Sequence, residues 1–377
     1  MQGATCKHPK MIVRLVTPGL CWPEDGPATL STPPLPPPSG PAIAAAATPP
    51  FCDPTTGYPP MPGLETLLGA GRIDWAPAVD FEDWLARKLG LADAPPWGAF
   101  RWLGEGREPG ASSWLCADPV HLYFAQDTLC LADSADLAIG ADEADALIEV
   151  LNAADVLPGR LIASCPERWY LELDRTLVTH TVSLRQASGR NLLTQLPAGP
   201  DAGVLRRALN DAQTLLHQHP ANRAREVSGR PTVNSLWFWG NGALVRPAPP
   251  AGRWWGSDPI ARGALQACDH RLEPLPASSA ALPNTASVRQ ACHVVMLEHA
   301  YPFMVRGERA GWRAALAELD ERWFAPLAAR WRKGEVQALV IDAPGYPGHP
   351  IVRVDRRDRW RFWRRPGRPS RLFAIPT

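Results

Sequence analysis

Net charge is almost absent from this 377-residue chain: 39 Lys and Arg stand against 38 Asp and Glu, a formal balance of +1. That excludes a global attraction to nucleic acid or to an anionic membrane, and leaves any electrostatic specificity to local groups. No run of about 18 apolar residues is present, so no membrane-spanning helix is expected. The short apolar stretches near the N-terminus, interrupted by Pro18 and Pro23, do not make a secretory signal. The eight cysteines, at 6, 21, 52, 116, 130, 165, 268 and 292, include no C-x-x-C pair and no zinc-type spacing with histidine. Scattered thiols fit a reducing cytoplasm, which is the expected location. A Gly-x-Ser-x-Gly elbow, a His-Glu-x-x-His helix, a Walker loop and a dinucleotide fingerprint are also missing.

What is there is a globular composition, 45% hydrophobic and 20% charged, with 42 Pro and 16 Trp. Most of the Trp are expected to fill cores, since the ring buries a large area. Residues 1–10 carry no pattern and read as a disordered tail, with Met1 or Met11 as the start. Met11 to Val16 reads as a first strand. Pro23 to Pro60, which includes Pro33-Pro34-Leu35-Pro36-Pro37-Pro38, is expected to be a solvated, polyproline-rich loop.

Phe81, Trp84, Leu85 and Leu89 repeat at helical spacing, and Gly90 suits the stop. His121 to Phe124 and Leu129 to Leu131 flank a Gln126-Asp127 turn, a hairpin signal. Ala144, Leu147, Ile148 and Leu151 mark a helix, and Arg160–Ser164 and Arg168–Leu173 two strands. Residues 112–200 thus read as an α+β lobe, between a first part of an α/β core (11–111) and its remainder (201–377). Asp201 is the expected N-cap of a helix running to about His217. Trp312, Leu316, Leu319, Trp323, Leu327 and Trp331 stripe a long helix stopped at Lys333-Gly334, followed by the apolar strand Val336–Ile341. Helix, short turn and buried strand predict a mostly parallel sheet covered by helices.

The densest cluster of special residues is His219-Pro220-Ala221-Asn222-Arg223-Ala224-Arg225, then Gly229-Arg230-Pro231, then Asn234 to Gly242. It reads as a helix end, a polar turn, a strand and a glycine loop. Arg forks match paired oxygens, so His219, Asn222, Arg225, Arg230, Asn234, Gly240 and Gly242 form a candidate anion-binding set. A plainer reading has His219 and Asn222 capping the helix and the glycines only making a turn.

This arrangement resembles the archaeal-type cofactor-independent phosphoglycerate mutases of the alkaline phosphatase superfamily. It resembles still more closely a bacterial family of RpfE-type regulatory proteins. Ala117-Asp118-Pro119-Val120-His121-Leu122, Arg168-Trp169-Tyr170-Leu171, Gly189-Arg190, Leu196-Pro197-Ala198-Gly199 and Leu215-Leu216-His217 carry it further. The resemblance covers residues 61 to 342 and leaves out the Pro23–Pro60 stretch. It implies an alkaline-phosphatase-like α/β fold and, in the active mutases, two divalent metal ions such as manganese with a Ser nucleophile.

The chain departs from that pattern at the metal site. The mutases' first strand ends in Asp-Gly, whereas this one ends Val16-Thr17-Pro18-Gly19. Their late strand ends in Asp-His, whereas Val340-Ile341-Asp342-Ala343 keeps only the Asp. Ser112 and Ser113 are poor equivalents of the nucleophile, and no Asp lies between Arg271 and Tyr301. Two-metal phosphoryl transfer needs carboxylates to hold its cations. The expectation is therefore a degenerate, non-catalytic protein without a cofactor, Asp342 being a remnant ligand. Its partner would be a small anionic metabolite or a protein. An active metal-dependent mutase or phosphatase is the alternative. A second is nucleic-acid binding by the C-terminal arginines, Arg353 to Arg371, interleaved with Trp360, Phe362 and Trp363; a strand pair with Arg stems over Trp faces is the plainer expectation there.

Overall fold

A computed structural model describes residues 10–22 and 57–372, apart from 92, 126–127, 189, 284–289, 346–347 and 362. Most of the Pro23–Pro60 stretch, the tail 1–9 and the Gln126-Asp127 turn lie outside the described residues. The strands are β1 Lys10–Val16, β2 Arg72–Ala76, β3 Ser113–Ala125, β4 Thr128–Ala132, β5 Gly159–Cys165 and β6 Arg168–Leu173. They continue with β7 Ser235–Ala243, β8 Arg253–Trp255, β9 Leu272–Glu273, β10 Gln290–Met296, β11 Val336–Asp342 and β12 His349–Asp355.

Two sheets result. The first runs β2-β12-β11-β1-β10-β8-β9. Its β11, β1, β10, β8 and β9 are mutually parallel, and β12 and β2 add antiparallel strands at one edge. The second is antiparallel, β4-β3-β6-β5, with β7 on the other side of β3. The expected α/β fold with a mostly parallel sheet and an α+β lobe is what forms.

Alternation along the strands sets the layers. Met11, Val13 and Leu15 of β1 turn to a core under the helices Pro62–Ala70, Arg309–Leu319 and Ala325–Lys333. Val16, Val294 and Met296 face a second core, shared with the antiparallel sheet and filled by the helices Phe81–Leu89, Trp97–Gly104 and Pro259–Gln266. In β3, Trp114 and Cys116 join this second core, while Leu115 and Ala117 point to a third. β7 repeats the division, with Trp237 and Trp239 in the second core and Leu236 and Phe238 in the third. Strands inside a parallel sheet are covered on both faces, and β11 is accordingly apolar from Val336 to Ile341 except at Gln337.

Two expectations need correction, and a third holds only in part. The antiparallel lobe does not close at residue 200, because β7 pairs with β3 and the helix Ala202–Gln218 covers the third core. Asp201 stands at the N-cap position, as expected, but its carboxylate makes no capping hydrogen bond; it accepts from Val178 N–H at 2.8 Å and from Arg175 at 2.8 Å. After β12 the chain enters a 3₁₀ turn at Arg356–Trp360 instead of a second strand. Among the described residues no helix is long and apolar enough to cross a membrane, and the six described cysteines are free.

Two packing details position the rest. Gly104 and Gly263 bring their helices into backbone contact. A Cβ on Gly104 would collide with the Pro259 carbonyl, and one on Gly263 with that of Phe100. The long C-terminal helix, meanwhile, contains a π-turn at Asp320–Phe324, just ahead of Pro326. Pro has no N–H to give the helical ladder, and a π-turn is a common accommodation of such a defect. The turn aims Asp320 at the start of helix Pro62–Ala70, where Met61 offers no side-chain cap. Its carboxylate accepts from Gly63 N–H at 3.0 Å and Leu64 N–H at 2.8 Å.

Asp320→Ala leaves both buried N–H groups without an acceptor and should cost about 1–3 kcal/mol in urea unfolding. Asp320→Asn keeps one acceptor oxygen and should lose less.

Candidate functional site

The cluster singled out in the sequence folds into a structural clamp. His219 ends the helix Ala202–Gln218 and begins a second one, Pro220–Val227, where its Nδ1 accepts from Ala221 N–H at 3.2 Å. The expected polar turn is therefore a helix. Asn222 is buried and donates to the carbonyls of Leu216 (2.7 Å) and Val233 (2.8 Å), while its Oδ1 accepts from Val233 N–H at 2.8 Å. Asn234 holds both backbone groups of Leu122, at 2.7 and 2.8 Å. Arg225 has no exposed surface and donates to Pro231 O, Glu143 and Leu137 O.

Gly240 and Gly242 lie within β7, not in a loop. Gly240 has φ +69°, and a Cβ there would sit 2.6 Å from Trp97 Cβ. A Cβ on Gly242 would press on Pro96. Arg230 is exposed and reaches Ser228 Oγ at 3.2 Å and Glu143 at 4.0 Å. With the amides and the Arg225 fork committed to the chain's own backbone and Glu143, this set does not present a convergent group of donors to an anion.

Asp342 closes β11 and is 1% exposed. Its carboxylate accepts from Arg14 Nη1, reaching across from β1, and pairs with His349 Nε2 at the start of β12. Burial works against the charge, but the His349 hydrogen bond and charge, with Arg14, hold the carboxyl below the usual carboxylate range. The groups facing Asp342 are thus cationic or neutral. They do not fit a pair of divalent metal ions, which would need further anionic oxygens there. Among the described residues no three His, Cys, Asp or Glu side chains gather as a metal site. Asp258, His270 and His293, a trio that folding could have joined, are not organised as one. Asp258 joins Arg185, and His293 Nδ1 accepts from Trp255 at 3.0 Å.

A different site forms between the two sheets, beyond the carboxyl ends of β8 and β10, where open parallel sheets commonly bind ligands. It is a cleft of about 320 Å³. Arg185, on the short helix Leu184–Ala187, lies at its centre. Its guanidinium meets Asp258 at 2.6 Å, Glu298 at 2.9 Å and Glu82 at 3.6 Å. The guanidinium stacks 4.7 Å from the Phe81 ring and 5.7 Å from that of Tyr301, whose hydroxyl donates to Arg185 O at 3.2 Å. Asp258 also caps the helix Pro259–Gln266 through Ala261 N–H at 2.8 Å. On the opposite wall Arg101 pairs bidentately with Asp118, at 2.9 and 2.7 Å, and Trp239 Nε1 donates to the same carboxylate at 2.8 Å.

This cleft is under electrostatic tension. Three carboxyl groups share one guanidinium, and burial raises the pKa of two of them. Glu298 is pushed up to about 7 by burial, against the pull of Arg185 and with Asp258 and Glu82 adding repulsion. Burial likewise raises Glu82. Both Glu82 oxygens, Arg185 Nη1 and Arg101 Nε are buried without a hydrogen-bond partner. Residues from separate segments supply these groups, so nothing local in the sequence announced them. The one available signal was Asp118, a charge inside a strand whose neighbours on both sides are apolar.

No family model matches the chain. A stretch of 61 residues, 16% of the chain, is 39% identical to a probable 2,3-bisphosphoglycerate-independent phosphoglycerate mutase of Geobacter sulfurreducens. Another of 115 residues, 30% of the chain, is 31% identical to a 2,3-bisphosphoglycerate-independent phosphoglycerate mutase of Methanothrix thermoacetophila. The matched stretches span 15% and 27% of those relatives' lengths. Among solved structures, the PH0037 protein from Pyrococcus horikoshii superposes with a TM-score of 0.47 at 12% identity, over 92% of this chain and 88% of that one. The cofactor-independent phosphoglycerate mutase from Thermoplasma acidophilum gives 0.38 at 15% identity, over 92% and 90%. The chain is a distant, phosphoglycerate-mutase-like relative of the cofactor-independent enzymes.

The raised Glu298 makes stability depend on pH in a defined direction. Its contribution is full below the unfolded value near 4.5 and is lost as pH rises through about 7. Urea midpoints of the native protein should therefore fall across that window, and Glu298→Gln should flatten the fall.

Proposed function

We propose that this phosphoglycerate-mutase-like protein carries out no metal-dependent phosphoryl transfer and acts instead by binding, in a regulatory role of the kind the RpfE-type resemblance implies. The observation that supports this reading is the pairing of Asp342 with Arg14 and His349. In two-metal chemistry the strand-end carboxylates face cations that stabilise the attacking and leaving oxygens. Here a guanidinium takes the place beside the remaining carboxylate, and β1 runs out into Thr17-Pro18 with no carboxylate at its end. Binding without turnover needs only the cleft, which is already of small-molecule size.

The test is turnover of 3-phosphoglycerate to 2-phosphoglycerate by the full chain with added manganese. No rate above the protein-free blank is expected, with Asp342→Ala indistinguishable from the native chain. A metal-dependent rate that Asp342→Ala abolishes would overturn the reading.

A second reading rests on the C-terminal surface. Trp360 and Trp363 are 64% and 69% exposed, and Arg356, Arg357, Arg361, Arg364, Arg365 and Arg368 around them are exposed as well. Arg359 lies 5.0 Å over the Trp360 ring. On a chain of nearly zero net charge, such a strip offers both stacking faces and phosphate contacts to a single-stranded nucleic acid. Single-stranded RNA should then quench Trp fluorescence in a salt-sensitive way, and Trp360→Ala with Trp363→Ala should weaken binding by about tenfold or more. Binding that survives the double substitution would remove this reading.

A further inference from the structure

We infer that the cleft at Arg185 binds a small organic cation, a primary amine or a guanidine, between Glu298 and the opposite wall. The inference rests on the binding role proposed above and names its ligand class.

Charge points the same way throughout the cleft. Its lining includes six carboxyl groups, from Glu82, Asp118, Asp133, Glu167, Asp258 and Glu298, against three guanidinium groups, from Arg101, Arg168 and Arg185. Asp118 is satisfied by Arg101 and Trp239, and Arg168 is drawn to Glu105. Arg185 is left to serve Asp258, Glu298 and Glu82 together. A phosphorylated sugar acid would add negative charge to this surplus, so the anionic metabolite expected from the sequence suits the cleft poorly. A cation would relieve it.

Unmet bonding capacity is the independent observation. Glu82 is 2% exposed and lines the cleft, yet no other residue donates a hydrogen bond to either of its oxygens, the Arg185 guanidinium standing off at 3.6 Å. A buried carboxyl group in that state is costly unless something completes it. The N–H groups of an ammonium or guanidinium are suited to do so. Glu298, with 23% of its side chain exposed, is the group such a ligand meets first. Arg185 Nη1 has no acceptor, so no hydrogen bond at that nitrogen resists a small shift of the guanidinium along the Phe81 face.

Binding is then an exchange. The ligand places one of its cationic groups in the cluster, and a carboxyl of the cluster releases the proton that burial had retained. Glu298 is faced by Arg185, Asp258 and Glu82, with Tyr301 close by, so the exchange is felt over the whole cluster. Affinity for an amine should rise as pH increases through about 7, with proton release.

Isothermal titration of the full chain with putrescine and agmatine tests this, with inorganic phosphate, 3-phosphoglycerate and manganese as comparison probes. The expected result is saturable binding of at least one amine at a single site, tighter at about pH 8 than at about pH 6. Heats should vary with the ionisation enthalpy of the buffer. Glu82→Gln, nearly isosteric, should weaken binding by about tenfold or more. Glu298→Gln should weaken it and flatten its pH dependence, both variants keeping the native circular dichroism spectrum. No saturable amine binding, binding unchanged in both variants, or preferential binding of phosphate or manganese in the cleft would overturn the inference. Mutase turnover would sink the non-catalytic reading without touching the titration, so the two failures are distinguishable.

Discussion

The buried guanidinium of Arg185 is the contact on which the arrangement of this molecule turns. It joins the helix that carries Glu82, the cap of the helix that begins at Pro259, and the segment after β10 that carries Glu298. These pieces come from both sides of the second core. Without the cation, three carboxyl groups would converge in a poorly solvated space, and each would need a proton or would have to leave. A cluster this unbalanced is weak support for stability by Coulomb attraction. Its value lies in fixing how the pieces meet.

Much of the architecture was legible because periodicity reports burial directly. The strand Val336–Ile341, the helix from Phe81 to Leu89 and the strands on either side of Cys165-Pro166-Glu167 all form where the patterns put them. The lobe boundary was missed because helix Ala202–Gln218 and β7 follow a sequence texture like that of the core. Only the pairing of β7 with β3 assigns them to the antiparallel sheet. Asp201 was placed correctly at the start of its helix, but its side chain does not serve as the cap, because Val178 N–H and Arg175 hold the carboxylate.

The conspicuous cluster from His219 to Gly242 teaches the opposite lesson. Amides, guanidinia and glycines are the groups that recognise anions, and they are equally the groups that satisfy irregular backbone. Residue type does not distinguish the two uses; partners do. Asn222, Asn234 and Arg225 each find theirs within the chain. The cleft residues were illegible for a simpler reason, since Glu82, Arg101, Asp118, Arg185, Asp258 and Glu298 are scattered over more than two hundred positions. Around Asp342 the want of further carboxylates was legible at the ends of the strands, and the structure adds what stands beside the remaining one.

The contact of Gly104 with the helix that begins at Pro259 has a mechanical consequence for the cleft. Helix Trp97–Gly104 carries Arg101, and the helix beyond Pro259 is capped by Asp258. With no side chain between them at the crossing, neither helix can slide or roll without backbone collision. One jaw of the cleft is therefore a single rigid block that spans both sheets. The other jaw, the short helix bearing Arg185 and the helix that begins at Tyr301, is tied to that block by the Arg185–Asp258 ion pair, so opening the cleft means breaking a salt bridge and not sliding a helix.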